Sequence, residues 1–91
     1  MKFIKFGGTY YNIDKVFSID IRRIEGDVYL YLAMPNKEDD IALTTDITSH
    51  EAAVLLDRKL FRFLNYKNSP GVFDLCKQIE DIRKKEGNEN E

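Results

Sequence analysis

The spacing of apolar residues changes at Thr48, and this change constrains the fold more than any other feature of the chain. Before Thr48, apolar and polar residues alternate, as in the stretches 17–22 and 28–32. After it, apolar residues recur every three or four positions, at Ala52, Leu55, Leu56, Leu60, Phe63 and Leu64. Alternation places one set of side chains on one face of a strand, whereas the longer spacing forms a stripe along a helix. The sequence therefore predicts strands first and a helix afterwards.

Five strands are predicted before Thr48, over residues 2–6, 9–13, 16–24, 28–33 and 41–43. Gly7-Gly8 and Glu25-Gly26-Asp27 are typical of hairpin turns, and the charged segment 35–40 is a predicted loop. Short connections favour pairing between neighbouring strands. We therefore expect an α+β fold: a curved antiparallel sheet of four to five strands in a meander, followed by a long packing helix and a shorter C-terminal helix.

The two predicted helices have recognisable starts. Thr48 as N-cap and Glu51 form a capping box for a helix that is expected to end near Asn65 to Asn68. Ser69-Pro70 opens the second helix, because serine caps a helix and proline suits its first position. The apolar side of that helix is expected to hold Val72, Cys76, Ile79 and Ile82, and Gly87 is expected to end it. The chain is thus predicted to be a single α+β domain over residues 1–85 with a disordered polar tail over 86–91.

The predicted core lies between the sheet and the first helix. Its expected members are Phe17, Ile19, Ile21, Val28, Leu30, Leu32, Ile41, Leu43, Leu56, Leu60 and Phe63. Val54 and Phe61 point away from this core on the same helix. Either the second helix covers them, or they contact another protein chain, as in a symmetric dimer.

Composition excludes several classes of protein. The 91 residues are 43% hydrophobic and 33% charged, which is ordinary for a globular domain. The net charge of −2 gives no overall attraction to nucleic acid, and no apolar run is long enough to suggest a membrane span. Cys76 is the single cysteine and is expected to be a buried, inert thiol. A cytoplasmic location is expected, since a chain with one cysteine forms no internal disulfide.

The sequence contains no convincing catalytic or metal-binding set. His50 is the only histidine and lies in the first turn of a predicted helix, where the helix dipole disfavours its charged form. Three consecutive acids, Glu38, Asp39 and Asp40, fan apart along a loop and do not converge on a cation. Gly7-Gly8 precedes a strand, whereas phosphate loops precede a helix. We therefore expect no enzymatic activity, no cofactor, no metal and no small-molecule substrate.

Two tyrosines on the fourth strand carry the functional prediction. They lie on the face opposite Val28, Leu30 and Leu32, where aromatic side chains pack across strands, contact proteins or stack on bases. The first hypothesis is a small non-enzymatic protein-interaction module, such as an accessory or inhibitor subunit, with a homodimer among the options. Its expected partner-binding residues are Val54, Phe61, Tyr29 and Tyr31. The alternative is single-stranded nucleic-acid binding on the tyrosine-bearing sheet face, by Tyr10, Tyr29, Tyr31, Arg22 and Arg23.

One stretch of the strand half resembles known sequences. Residues 8–16, Gly-Thr-Tyr-Tyr-Asn-Ile-Asp-Lys-Val, are followed by an alternating strand, a charged turn and a helix rich in Ala and Leu. This arrangement resembles short bacterial and phage proteins and is similar to the small flagellar FlbD-type proteins, which open with a glycine, aromatic and asparagine-containing hairpin. The resemblance implies a bacterial or phage origin, and no functional residue is carried over from it.

Overall fold

The computed structural model describes residues 2–67 and 70–89 of the chain, and the side chains of 86–89 are outside the description. The fold is α+β, as predicted, but its strands form two sheets of three and not one meander. The elements in chain order are β1 (Phe3–Phe6), β2 (Thr9–Asn12), β3 (Ser18–Ile24), β4 (Asp27–Ala33), β5 (Ile41–Thr44), α1 (His50–Asn65), β6 (Val72–Asp74) and α2 (Leu75–Glu89). Short 3-10 turns, Ile13–Lys15 and Lys37–Asp39, precede β3 and β5.

The first sheet has the order β3-β4-β5 and is antiparallel throughout. A two-residue turn joins β3 to β4, with φ of 53° at Glu25 and 89° at Gly26. Positive φ at both central residues is the type I′ pattern, whose twist matches that of the flanking strands. The tight hairpin fixes the register, so that Ile21 lies opposite Leu30. This sheet confirms the alternation predicted from the sequence.

The second sheet has the order β2-β1-β6, so it joins the first strand, β1, to β6, which follows α1 in the chain. β1 is antiparallel to β2 and parallel to β6, with Phe3 opposite Val72 and Ile4 opposite Phe73. The Phe3 amide also donates to the Gly71 carbonyl at 2.8 Å. A helix starting at Ser69-Pro70 is therefore wrong for residues 72–74, because their backbone groups pair with the open edge of β1. Ser69, the expected cap, lies outside the described residues.

The start of α1 lies slightly later than the sequence prediction. Ser49 is the N-cap, and its hydroxyl accepts from the Ala52 amide at 3.1 Å. The predicted capping box of Thr48 and Glu51 is wrong, since the N-cap is Ser49 and not Thr48. The Thr48 carbonyl accepts from the Arg23 guanidinium at 3.2 Å. At the other end, the Lys2 ammonium donates to the carbonyls of Phe63 and Tyr66. A cation at this end complements the negative pole of the helix dipole.

A single hydrophobic core connects both sheets and both helices. Its buried apolar residues are Ile4, Val28, Leu30, Leu32, Leu43, Ile47, Ala52, Ala53, Leu56, Leu60, Phe63, Phe73, Leu75, Ile79 and Ile82. Seven of the eleven predicted core residues are among them: Val28, Leu30, Leu32, Leu43, Leu56, Leu60 and Phe63. Three others, Ile19, Ile21 and Ile41, are half-buried against this core. The prediction that Phe17 belongs to the core is wrong, because 79% of its surface is exposed.

A bulge at the start of β3 explains the exposure of Phe17. The Phe17 amide donates to the Ala33 carbonyl at 2.8 Å, although Ala33 is already paired with Ser18. Two consecutive residues therefore oppose one, which is β-bulge geometry and redirects the side chain at that point. As a result, Phe17 does not continue the half-buried face of Ile19 and Ile21.

α2 buries a different set of residues from the one predicted. Leu75, Ile79 and Ile82 are buried, while Val72 and Cys76 are exposed. The prediction that the Cys76 thiol is buried is therefore wrong. Asp74 replaces Ser69 at the helix start: its Oδ1 accepts from the Lys77 amide at 3.3 Å.

The end of α2 also differs from the prediction. The helix continues through Gly87 to Glu89, which is tolerated because glycine costs only about 1 kcal/mol relative to alanine within a helix. The predicted tail over 86–91 falls partly within α2 and partly outside the described residues. Neither helix in the described part of the chain is long and apolar enough to cross a membrane.

Candidate functional site

The single histidine and the single cysteine of the chain are both exposed and lie on different helices. His50 is exposed at the start of α1, with its Nδ1 3.4 Å from the Arg23 guanidinium. Ser49 caps the same helix, and Cys76 lies on α2. Among residues 2–67 and 70–89, no group of three or more His, Cys, Asp or Glu side chains is placed to hold a metal ion.

The outer face of the first sheet brings together the two tyrosines of β4 and one arginine of β3. Tyr29 lies opposite Arg22, and Tyr31 lies opposite Asp20. Both tyrosines are half-buried, and they alternate with Leu30, which is fully buried. The tyrosine face is therefore the side of the sheet that points away from the core, as the sequence predicts.

Arg22 is held over the ring of Tyr31. Its guanidinium carbon lies 3.8 Å from the ring centroid, a distance that favours a cation–π interaction. Its Nε also donates to Asp20 Oδ1 at 3.1 Å. Because one side chain makes both contacts, the guanidinium lies across the sheet face, while 44% of the Arg22 side chain remains exposed.

Tyr31 and Asp40 form a polar pair at one end of this face. The tyrosine hydroxyl donates to Asp40 Oδ2 at 2.8 Å, and the Met34 amide donates to Asp40 Oδ1 at 2.8 Å. The Met34 amide, followed by the Tyr31 hydroxyl, lowers the pKa of Asp40 below the ordinary aspartate value. The same hydrogen bond to Asp40 raises the pKa of Tyr31. The pair ties the loop before β5 to the outer face of β4.

A groove of about 420 Å³ lies beside this pair and combines apolar and cationic groups. It is lined by Phe17, Arg22, Tyr31, Ala33, Met34, Pro35, Lys37 and Asp40. The exposed ring of Phe17 forms one border, and the loop after β4 supplies Met34 and Pro35. Lys37 forms no ion pair within the described residues. The groove therefore combines an apolar surface with two cations, Arg22 and Lys37, and with the Asp40 carboxylate. We call it the Phe17–Tyr31 groove.

Sequence reasoning identified Tyr31 and Arg22 but missed the other groups of this groove. The alternating pattern predicts Phe17 in the core, because nothing in that pattern indicates the bulge that exposes it. The sequence predicts Lys37 only as part of the charged loop 35–40 and assigns no role to Met34. A large aromatic residue directly before a strand and a proline-containing loop directly after its partner strand are the only sequence signals for this groove.

The residues proposed for nucleic-acid binding are distributed over several surfaces. Arg23 follows Arg22 directly in β3, so it points to the opposite face, toward the start of α1. Tyr10 belongs to β2 in the second sheet, where its ring contacts Phe3 edge-on at 6.4 Å. Only Tyr29, Tyr31 and Arg22 therefore share a face.

The two helix residues proposed for partner contact lie on another side of the molecule. The side chain of Phe61 is 61% exposed. The alternative in which the second helix covers Phe61 is therefore wrong. Val54 is half-buried in a groove with Ile21 and Arg23 of β3. Val54 thus lies beside β3 at the edge of the first sheet, and Phe61 lies on the exposed side of α1. The tyrosine pair lies on the outer face of the sheet.

Comparisons of the chain with protein-family models, with curated proteins and with solved structures found no match. The resemblance of residues 8–16 to FlbD-type proteins therefore carries no functional assignment.

Proposed function

We propose that this chain is a non-enzymatic protein-interaction module that binds a segment of a partner protein in the Phe17–Tyr31 groove. The observation that carries the proposal is the 79% exposure of Phe17 beside Tyr31. Accessory and inhibitor subunits are examples of proteins that act through such a surface alone.

The composition of the groove supports a protein partner. Aromatic residues, methionine and arginine are enriched at interfaces, and a few central anchors usually supply most of the binding energy. Phe17 and Tyr31 are such aromatic groups, and Met34 adds an adaptable apolar wall. The bulge at Phe17 and the hydrogen bonds of Asp40 fix the Tyr31 hydroxyl and the backbone that carries Phe17 and Met34, which lowers the entropic cost of association.

The charges around the groove indicate the chemistry of the partner segment. Arg22 and Lys37 lie on its lining, while the Asp40 oxygens already accept two hydrogen bonds. An apolar side chain of the partner would fill the space between Phe17 and Tyr31. A carboxylate next to it would lie within the field of Lys37, and complementary charges add specificity and association rate.

Selection from a random peptide library against the immobilised full chain tests this proposal. We expect enrichment of peptides that carry an aromatic or aliphatic residue next to Asp or Glu. Their affinity, measured by fluorescence polarisation, should fall at least tenfold for Phe17→Ser and Tyr31→Ala. Tyr10→Ser is the matched control, because it removes a 55% exposed aromatic side chain from the other sheet. Equal affinities of wild type and Phe17→Ser would overturn the proposal.

Single-stranded nucleic-acid binding is the alternative proposal. Tyr29, Tyr31 and Arg22 on one sheet face support it, since bases stack on exposed aromatic rings. It has less support, because the Arg22 guanidinium already covers the Tyr31 ring and Arg23 faces the other way. Fluorescence polarisation with mixed-sequence RNA and DNA at low salt tests it, and binding that weakens with added salt and with Tyr31→Ala would favour it.

A further inference from the structure

The outer edge of β3 carries backbone groups that no other strand uses. β3 is an edge strand in the order β3-β4-β5. In a hairpin closed by a two-residue turn, Ile24 and Asp27 form the first hydrogen-bonded pair, so every second residue of β3 bonds to β4. The amides and carbonyls of Ile19, Ile21 and Arg23 consequently point outward. None of the described backbone hydrogen bonds outside the sheet ladders involves these three residues.

This edge lacks several of the features that prevent strand pairing. Proteins protect open edges with short strands, charged side chains (lysine above all), proline, bulges or charges on the inner face. β3 has seven residues, whereas the other edge strands have three or four. It contains neither lysine nor proline, and its bulge lies at one end only. Arg23, whose charge on the inner face would hinder pairing, is held by the Thr48 carbonyl at 3.2 Å.

We propose that β3 pairs with β3 of a second copy in antiparallel orientation, centred on Ile21, to form a homodimer with one continuous six-stranded sheet. This proposal does not rest on partner binding in the Phe17–Tyr31 groove, although Arg22 belongs to both surfaces. In this register each outward residue exchanges hydrogen bonds with the second copy: Ile21 with Ile21, and Ile19 with Arg23. The two-fold axis then passes beside Ile21, as expected for a closed isologous dimer.

The charges on the outer face select this register over its neighbours. Centred on Ile21, the pairing places Asp20 opposite Arg22 of the second copy, and the same pair recurs across the axis. A register shifted by one step in either direction would place Asp20 opposite Asp20 of the second copy, or Arg22 opposite Arg22 of the second copy. Like charges directly opposite each other destabilise a sheet, whereas opposite charges stabilise it. The second copy is therefore the occupant whose charge pattern matches this edge.

The inner side of the same edge supports the dimer. A groove of about 220 Å³ lies between β3 and α1, lined by Ile21, Arg23, His50, Ala53, Val54 and Asp57. Phe61 lies seven positions after Val54, on the same side of α1 and 61% exposed. Extending the sheet across β3 brings the second α1 alongside this stripe. The pairing thus covers an apolar surface that α2 leaves open.

Charge reversal tests both the dimer and its register. Multi-angle light scattering should give the mass of a dimer for wild type at tens of micromolar. Asp20→Arg and Arg22→Asp should each weaken dimerisation at least tenfold, since each places like charges opposite each other. An equimolar mixture of the two variants should regain the dimer mass, because every opposing pair is again complementary. Asp14→Arg is the control, as it makes the same charge change at an exposed site outside β3.

Amide hydrogen exchange on the wild type tests the proposal without any substitution. The amides of Ile19, Ile21 and Arg23 should exchange more slowly as protein concentration rises, while those of Asp20 and Arg22, bonded to β4, should not change. Monomeric wild type at high concentration, or failure of the mixed variants to associate, would overturn the proposal. So would a dimer that is lost on Phe61→Ser but indifferent to both charge reversals, since that dimer would pair through α1.

Discussion

The strands of the two sheets are paired by different kinds of contact. β3, β4 and β5 follow one another in the chain, and a two-residue turn sets the register of the first pair. The second sheet joins β1 near the start of the chain to β6 near its end, in parallel. Closing such a long loop costs conformational entropy before any contact is gained. The first sheet is therefore specified locally, whereas the β1–β6 pair of the second sheet depends on the folded core.

The buried residues show how the second sheet is stabilised. Ile4 of β1 and Phe73 of β6 lie opposite each other and are both buried. Phe73 also packs its ring on Phe63 of α1, with centroids 5.4 Å apart. The parallel pair is thus fixed by side chains that join the helical layer, and not by a turn. We expect the second sheet to be the more sensitive one to changes in the C-terminal segment.

Truncation after Lys67 should have the largest effect, because it removes all of β6 and α2. The core would lose Phe73, Leu75, Ile79 and Ile82, and β1 would lose one of its two partner strands. We expect loss of cooperative thermal unfolding, measured by circular dichroism. A control chain ending at Lys85 keeps each of these residues and should retain its transition. A sharp transition at the wild-type midpoint in the shorter chain would show that the first sheet and α1 fold alone.

Single core truncations should show whether the two sheets unfold together. Phe73→Ala should lower the free energy of unfolding by about 3–5 kcal/mol, and Leu60→Ala by about 2–5 kcal/mol, because each leaves a cavity in a packed core. Urea titrations followed by both circular dichroism and tyrosine fluorescence should give coincident transitions. The exposed Arg58→Ala should change stability by less than about 0.5 kcal/mol. Separate transitions for Phe73→Ala would mean that the second sheet is an independent unit.

The sequence predicts the first sheet well, because its information is local. Alternation locates β3 and β4 within one or two residues, and Gly26 marks their turn. The sequence does not predict β6, since three residues are too few to show a period, and Val72 also fits a helical spacing with Cys76 and Ile79. Its strand conformation follows from the open edge of β1, which a local pattern does not reveal.

The candidate site follows the same division between local and distant information. The face shared by Tyr29 and Tyr31 follows from alternation within β4. The exposure of Phe17 does not, because a bulge depends on how two strands pair. Likewise, the contact of Asp40 with Tyr31 depends on the path of a loop whose sequence indicates only that it is polar.

The start of α1 offers a test of a smaller effect. Ser49→Ala should lower the free energy of unfolding by about 1 kcal/mol, because it removes the acceptor for the Ala52 amide. Thr48→Ala should cost less than about 0.5 kcal/mol, since the Thr48 side chain is exposed and its carbonyl, which binds Arg23, remains. Urea titrations of both variants decide between the two caps. The reverse order of effects would restore the capping box predicted from the sequence.

The smallest expected effect is a pH dependence of the free energy of unfolding, which arises from Asp40 beside the first sheet. The pKa of Asp40 is lower in the folded protein than in the unfolded chain, because its carboxylate accepts from the Met34 amide and the Tyr31 hydroxyl. Between the two pKa values the unfolded chain binds more protons, so stability rises with pH there. The contribution of Asp40 is therefore fully present above the ordinary aspartate pKa and is lost as pH falls through the folded value.

Asp40→Asn should thus be less stable than wild type at neutral pH, and the difference should shrink below the ordinary aspartate pKa. Urea titrations at a series of pH values from neutral to acidic measure it. Asp39→Asn is the matched control, since it makes the same change at an exposed neighbour. A deficit for Asp40→Asn that stays constant with pH would mean that the loop is fixed to β4 by packing of Met34 and Pro35. In that case the carboxylate would not hold the border of the Phe17–Tyr31 groove.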